Sequence, residues 1–214
     1  AVGRGVSWHF WESLAQWDGS GALKGDLADV WTVSEDSEGA HYSFTLRDGR
    51  SWHDGGQPTS EDVKASFTRY LGKDGSFGPS IKDRLKGGSV DSAFEIVNDD
   101  QFVIHLTEPT GLLLMALGYV GGTQPQIMPK ATVDKYMTEL AQEFNASGPY
   151  KFVEWNQGKD VILDRYDAYV PREETPSYRA GAKLGYFQRL HTIEIPDQET
   201  RVAALITGEV DSLD

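Results

Sequence analysis

Five histidines (His9, His41, His53, His105 and His191) and no cysteine set the reactive repertoire of this 214-residue chain. No two histidines stand four apart beside a carboxylate, so the helix-borne metal motif is missing. Without thiols, disulfides, thiolate metal sites and cysteine nucleophiles are excluded. His53 and Asp54 could form an acid–base pair, but neighbours along a strand point to opposite faces. His41, His105 and His191 fall in strand-like runs and read as satisfied structural histidines. No Gly-x-Ser-x-Gly elbow offers a serine nucleophile. Gly118-Tyr119-Val120-Gly121-Gly122 lacks the lysine of a phosphate loop and the spacing of a dinucleotide fingerprint. It reads as a flexible loop, or as a place where backbone approaches a ligand. Asp99-Asp100 is a hairpin turn without the alternating oxygens of a calcium loop. Glu35-Asp36 and Glu173-Glu174 read as solvated turns, and Trp8, Trp11 and Trp17 as a core stripe. The residues alone point to no reaction centre, no metal site and no cofactor.

The elements that would carry these side chains are clearest at 31–63. Tyr42, Phe44 and Leu46 alternate with Ser43, Thr45 and Arg47, the period of a half-buried strand. Asp48-Gly49 predicts a turn into a second strand through Ser51, Trp52 and His53. Thr59 with Asp62 forms a capping box for a helix bearing Val63, Phe67 and Tyr70 or Leu71. Residues 2–17 predict an amphipathic helix broken at Asp18-Gly19-Ser20-Gly21, and 23–31 a short strand or extended link. Residues 72–88 predict a loop with a short helix near 81–85. Phe94 and Ile96 against Phe102, Ile104 and Leu106 predict a hairpin. A short apolar helix is expected at 112–117, a loop at 118–129 and a helix at 130–144. A third hairpin joins 150–155 to 161–165, followed by an irregular segment at 169–183 and a strand at 190–195. Asp197 caps a helix with Val202, Leu205 and Ile206, closed at Gly208. Residues 209–214 predict the start of a further strand. A strand without a partner at one end, and a helix with no preceding strand at the other, read as a chain cut at both ends. Ala1 reads as a mature terminus or an artificial boundary. The alternation of strands and helices predicts a mixed α and β class.

Composition narrows the partners. Lys and Arg number 20 against 33 Asp and Glu, a net charge of −13. A phosphate-backbone binder needs the opposite sign, so nucleic acid and anionic membrane surfaces are excluded. No apolar run approaches the roughly 18 residues of a membrane span. Six Trp and nine Tyr are enough to furnish either a core or a ligand cleft.

Leu27-Ala28-Asp29-Val30-Trp31-Thr32-Val33-Ser34-Glu35-Asp36, then Tyr42-Ser43-Phe44-Thr45-Leu46-Arg47-Asp48-Gly49 and Trp52-His53-Asp54-Gly55, resemble the signature region of family 5 extracellular solute-binding proteins. These are the dipeptide- and oligopeptide-type binding components of bacterial ABC importers. Pro58-Thr59-Ser60-Glu61-Asp62-Val63, Thr107-Glu108-Pro109, Ser147-Gly148-Pro149-Tyr150 and Ile195-Pro196-Asp197 continue the match. So do Thr200-Arg201-Val202-Ala203-Ala204-Leu205 and Gly208-Glu209-Val210-Asp211. Ala146 stands where the family usually has glycine.

The resemblance implies an α/β, type II periplasmic-binding-protein lobe with an inserted small α+β domain, lacking the second lobe. It implies lobe I from 1–12 and 141–214, incomplete, and an inserted domain at 13–140. It implies a monomeric, non-enzymatic binding component that encloses a peptide or similar small solute and delivers it to an inner-membrane permease. The location implied is the periplasm, or the cell exterior on a lipid anchor. Loops 76–80 and 119–124 match the family's contact regions, which nominates Phe77, Tyr119, Gly122 and Thr123 as ligand-facing. The rival readings are a hydrolase using His53 and Asp54, and a chaperone or adhesion protein exploiting exposed aromatics.

Overall fold

A computed structural model describes residues 4–72, 78–119 and 125–213. Helix α1 (Arg4–Phe10) precedes a short hairpin of β1 (Ala15–Trp17) and β2 (Leu23–Gly25), then β3 (Ala28–Asp36) and β4 (Gly39–Leu46). Helices α2 (Ser60–Leu71), α3 (Gly78–Lys82) and α4 (Val90–Ala93) lead to β5 (Phe94–Ile96) and β6 (Gln101–Leu106). Helices α5 (Gly111–Gly118) and α6 (Lys130–Lys135) follow. Strands β7 (Tyr150–Asn156), β8 (Asp160–Arg165) and β9 (Arg189–Ile193) and helix α7 (Gln198–Thr207) complete the order. The strands form a β1-β2 ribbon, a four-stranded sheet β3-β4-β6-β5 and a three-stranded sheet β7-β8-β9, antiparallel throughout. The mixed α and β class is the one expected.

The four-stranded sheet forms because alternate residues of β4 and β6 are large and apolar. Tyr42, Phe44, Leu46, Phe102, Ile104 and Leu106 are all buried on one face. Phe44, Phe102 and Phe94 stack across three strands, with centroids 5.2 and 4.8 Å apart. Helix α2 lays Val63, Phe67 and Leu71 on that face, and α5 adds Leu113 and Leu117. Each such side chain contributes about 1.5–3 kcal/mol by leaving water. The predicted capping box starts α2: the Thr59 backbone N–H donates to Asp62 Oδ2 at 2.8 Å. A second cluster joins Phe10 and Trp11 of the N-terminal segment to Val133, Tyr150, Val161 and Leu163. Ala65 of α2 reaches into it, so one helix serves both cores.

Long-range hydrogen bonds override several local expectations. The helix expected over 2–17 stops at Phe10, and Ala15–Trp17 is a strand. Distant groups capture the backbone there: Ser13 N–H donates to Asp26 Oδ2, while the Leu14 carbonyl accepts from Asp26 and Ala28. The turn at Asp48-Gly49 forms, with Gly49 at φ +70°, but no strand follows it. Trp52 N–H bonds to the Gly56 carbonyl and His53 N–H to Ala146, and β4 pairs instead with the earlier β3. Helix α6 ends at Lys135 rather than running to 144, because the Arg69 guanidinium binds the Tyr136 and Glu139 carbonyls. Residues 209–213 form no strand: past Gly208 (φ +74°), the N–H groups of Glu209 and Val210 turn back to the Ala204 carbonyl.

Candidate functional site

Of the four nominated ligand-facing residues, Phe77, Gly122 and Thr123 lie outside the described residues. Tyr119 is half-buried and follows directly on α5, its N–H donating to the Ala116 carbonyl. Its position rests on a close approach. A Cβ on Gly118 would stand 2.5 Å from Leu23 and 2.6 Å from the Trp17 indole nitrogen. Only glycine lets the end of α5 press this closely on the β1–β2 ribbon.

The polar centre that the sequence reading did not single out lies between the two cores. Glu12, Asp26 and Arg47 are each less than a tenth exposed. Arg47 Nη2 meets Glu12 Oε1 at 3.3 Å, and the Tyr169 hydroxyl donates to the same oxygen at 2.9 Å. Lys183 Nζ lies 2.6 Å from Asp26 Oδ1. Ser13 and Gln16 donate to Asp26 Oδ2. Burial first, and then the charge of Asp26, hold the Glu12 carboxyl above its ordinary value. Burial beside Glu12 and Asp26 likewise pushes the Tyr169 hydroxyl up, so it stays a donor. Glu12 Oε2, Gln16 Oε1 and Arg47 Nε remain buried without a hydrogen-bond partner. Arg172 donates to the Asp26 and Ala28 carbonyls and to Asp29 and Glu174. This network clamps the irregular segment around 169–183 against the β1–β2 ribbon and β3. Outside the clamp, a cleft of about 480 Å³ is lined by Lys24, Asp29, Trp31, Arg172, Glu174 and Ser177, among others. It offers an aromatic wall and charges of both signs.

One sequence signal could have pointed to this centre: Glu12 interrupts the apolar run from Phe10 to Ala15, whereas Asp26 follows Lys24-Gly25 and Arg47 precedes Asp48-Gly49. Their partners, however, lie up to 157 residues away.

The remaining candidates separate. His53 Nε2 bonds to the Gly148 carbonyl at 2.9 Å, and its ring lies edge-on to Tyr166. Burial leaves its Nδ1 without a partner and lowers its pKa. Asp54 accepts instead from Asn145 and the Gly56 N–H, and reaches His53 only as a nearby charge. His191 pairs with Asp160 at 2.9 Å. His41 and His105 meet across β4 and β6. Trp11 is core, whereas Trp8 is half-buried beneath the Arg179 guanidinium, 3.0 Å from its ring centre. Among the described residues no group of three or more His, Asp or Glu is set to hold a metal. None of the described helices is long and apolar enough to cross a membrane.

The described residues form a mixed α/β fold with a charged clamp between two cores. The chain belongs to the bacterial extracellular solute-binding proteins, family 5, whose model matches residues 22–214. It is 37% identical over 187 residues to a probable peptide ABC transporter periplasmic-binding protein, y4tO, of Sinorhizobium fredii. That match covers 86% of this chain and 33% of the relative. It is 28% identical over 198 residues to a probable D,D-dipeptide-binding periplasmic protein, DdpA, of Escherichia coli, covering 92% of this chain and 34% of that one. Its fold matches the binding protein AgaA of A. tumefaciens R10, solved with agropinic acid, at a TM-score of 0.75 and 25% identity. There the match covers 97% of this chain and 38% of the solved one. The chain thus spans about a third of the length of these relatives.

Proposed function

We propose that this chain is the N-terminal part of the solute-binding component of a bacterial ABC importer, acting without catalysis. The observation that carries the reading is the family match over residues 22–214, in order along the chain. In this reading the protein encloses a peptide or similar small solute between two lobes, by hinge closure, and presents it to an inner-membrane permease. Its place is the periplasm, or the cell exterior on a lipid anchor, as a monomer.

Residues 1–12 and 141–214 are assigned to lobe I and 13–140 to an inserted domain. Two separate hydrophobic clusters support that division: one holds buried residues between Leu14 and Ile127, the other Val6, Phe10 and Trp11 with buried residues between Met128 and Leu163. Ala65 crosses it. Loops 76–80 and 119–124 are assigned to the solute-facing edge, with Phe77, Tyr119, Gly122 and Thr123 as contacts. The tight seat of Gly118, directly before the second loop, supports this.

The hydrolase reading loses its basis because His53 and Asp54 have separate partners. The test is mass spectrometry of small molecules that co-purify with the longer protein carrying this chain. A peptide or peptide-like solute is expected, and the solute-loaded protein should stimulate the ATPase of its reconstituted permease. No stimulation by a demonstrably loaded protein overturns the importer reading. The 214-residue chain alone is expected to bind no solute tightly, and micromolar or tighter binding of any peptide in calorimetry overturns that expectation.

A further inference from the structure

The outer face of the four-stranded sheet carries a row of four titratable side chains, Asp36, His41, His105 and Glu95. Strands β4 and β6 pair with His41 directly opposite His105. Their alternate neighbours Tyr42, Ile104 and Leu106 are buried, so both imidazoles lie on the face turned away from the core. Asp36 of β3 and Glu95 of β5 extend the row on either side. Asp36 Oδ1 lies 3.1 Å from His41 Nε2, and Glu95 Oε2 lies 2.9 Å from His105 Nε2. A carboxylate only accepts, so each Nε2 carries its ring's proton. Both Nδ1 atoms then present lone pairs, and they stand 2.7 Å apart. Two lone pairs at that distance repel unless a cation lies between them.

The geometry points to a divalent transition-metal site held by His41 and His105, with Asp36 and Glu95 orienting the rings. Metal–nitrogen bonds of about 2.0 Å meeting at a right angle put the two nitrogens about 2.8 Å apart, as in the cis arrangement of tetragonal copper(II) or nickel(II). A turn of the rings makes the lone pairs converge on such an ion. A carboxylate on the far nitrogen is the usual support of a metal-binding imidazole. The surroundings favour a cation: Asp36, Glu38 and Glu95 face the pair. The nearby cation, Lys86, is engaged by Glu38 at 2.5 Å. The two histidine side chains are 18% and 20% exposed, so an ion can enter and water can fill its remaining positions. The site supplies two protein nitrogens and sits on the sheet.

The test is calorimetric titration of the untagged chain with Cu²⁺ at neutral pH. One saturable site of micromolar affinity is expected, weakening as pH falls because protons compete for the same lone pairs. His41→Gln and His105→Gln should each weaken it at least tenfold. Glu95→Gln should cost roughly tenfold through loss of the orienting carboxylate. In the unaltered chain, copper should broaden the ring NMR signals of His41 and His105 before those of His9, His53 and His191. That readout decides the matter even where a variant fails to fold. Affinity unchanged in both histidine variants, first broadening at other histidines, or no saturable uptake overturns the proposal, leaving a shared proton as the cation between the rings.

Discussion

The two larger sheets cover their apolar residues to different extents. In the four-stranded sheet every large alternating side chain of β4 and β6 is covered, by α2, by α5 or by its stacked neighbours. The three-stranded sheet buries Tyr150, Val161 and Leu163, yet other apolar side chains of that sheet, of the segment before β9 and of the helix after it stand open. Val153, Ile193, Val202, Leu205 and Ile206 are 40–79% exposed, and Tyr186 and Phe187 more than two-thirds. Helix α7 is well formed locally, with Asp197 accepting from Thr200 N–H at 2.8 Å and Gly208 closing it, yet of its own residues only Ala204 is buried. The difference teaches that amphipathic spacing tells which face of an element calls for cover, and that a partner must supply it.

The sharpest break of this contrast is a pair of truncations. Phe102→Ala, in the stacked aromatic row, is expected to cost about 3–5 kcal/mol in urea unfolding, by lost transfer energy and the cavity left behind. Ile206→Ala, on the open face of α7, should change the same measurement by less than about 0.5 kcal/mol. Equal effects would show that the α7 face is covered after all.

Arg47→Met tests the junction between the two regions. It leaves Glu12 buried without its cation, at an expected cost of about 3–5 kcal/mol, while Glu12→Gln in the same background should recover part of the loss. Thr59→Ala removes half of the capping box of α2 and should cost about 1 kcal/mol.

A smaller effect is pH-dependent. Burial lowers the His53 pKa below its ordinary 6.5 in the folded chain. The unfolded chain therefore takes up the proton first. This contribution is whole above 6.5 and is lost as pH falls from there toward the folded value. Denaturation midpoints measured from pH 7.5 to 5 should fall less steeply in His53→Gln than in the unaltered chain.

Much of the fold was legible because it is local. Thr59 and Asp62 lie three apart, and Asp197 and Gly208 bracket one helix. The β5–β6 and β7–β8 hairpins turn within a few residues at Asn98–Asp100 and Asn156–Gly158. Each of these depends on spacing that the chain carries in itself. The early end of α1 was not legible, since Asp26 takes the Ser13 N–H from thirteen residues away. Nor was the early end of α6, where Arg69 reaches carbonyls nearly seventy residues on. The choice of β3 over Ser51–His53 as partner of β4 escaped for a related reason. Thr32, Ser34, Glu35 and Asp36 are polar residues on an exposed edge, with little alternating apolar signal to declare a strand.

The site divides along the same line. The motifs at 27–63 and 147–150 were enough to show the family resemblance, because family character resides in residue types at fixed spacing. Those motifs could not show that Glu12, Asp26, Arg47, Tyr169 and Lys183 converge between two cores. Nor could they show that His41 faces His105 across 64 residues. Sequence alone determined the class, the local caps and turns, and which faces are apolar, since each depends on neighbours along the chain. Tertiary structure alone decided which charges are buried together, which strand pairs with which, and which apolar faces are covered. Those outcomes depend on low-dielectric contacts and strand register between segments that meet only when the chain folds.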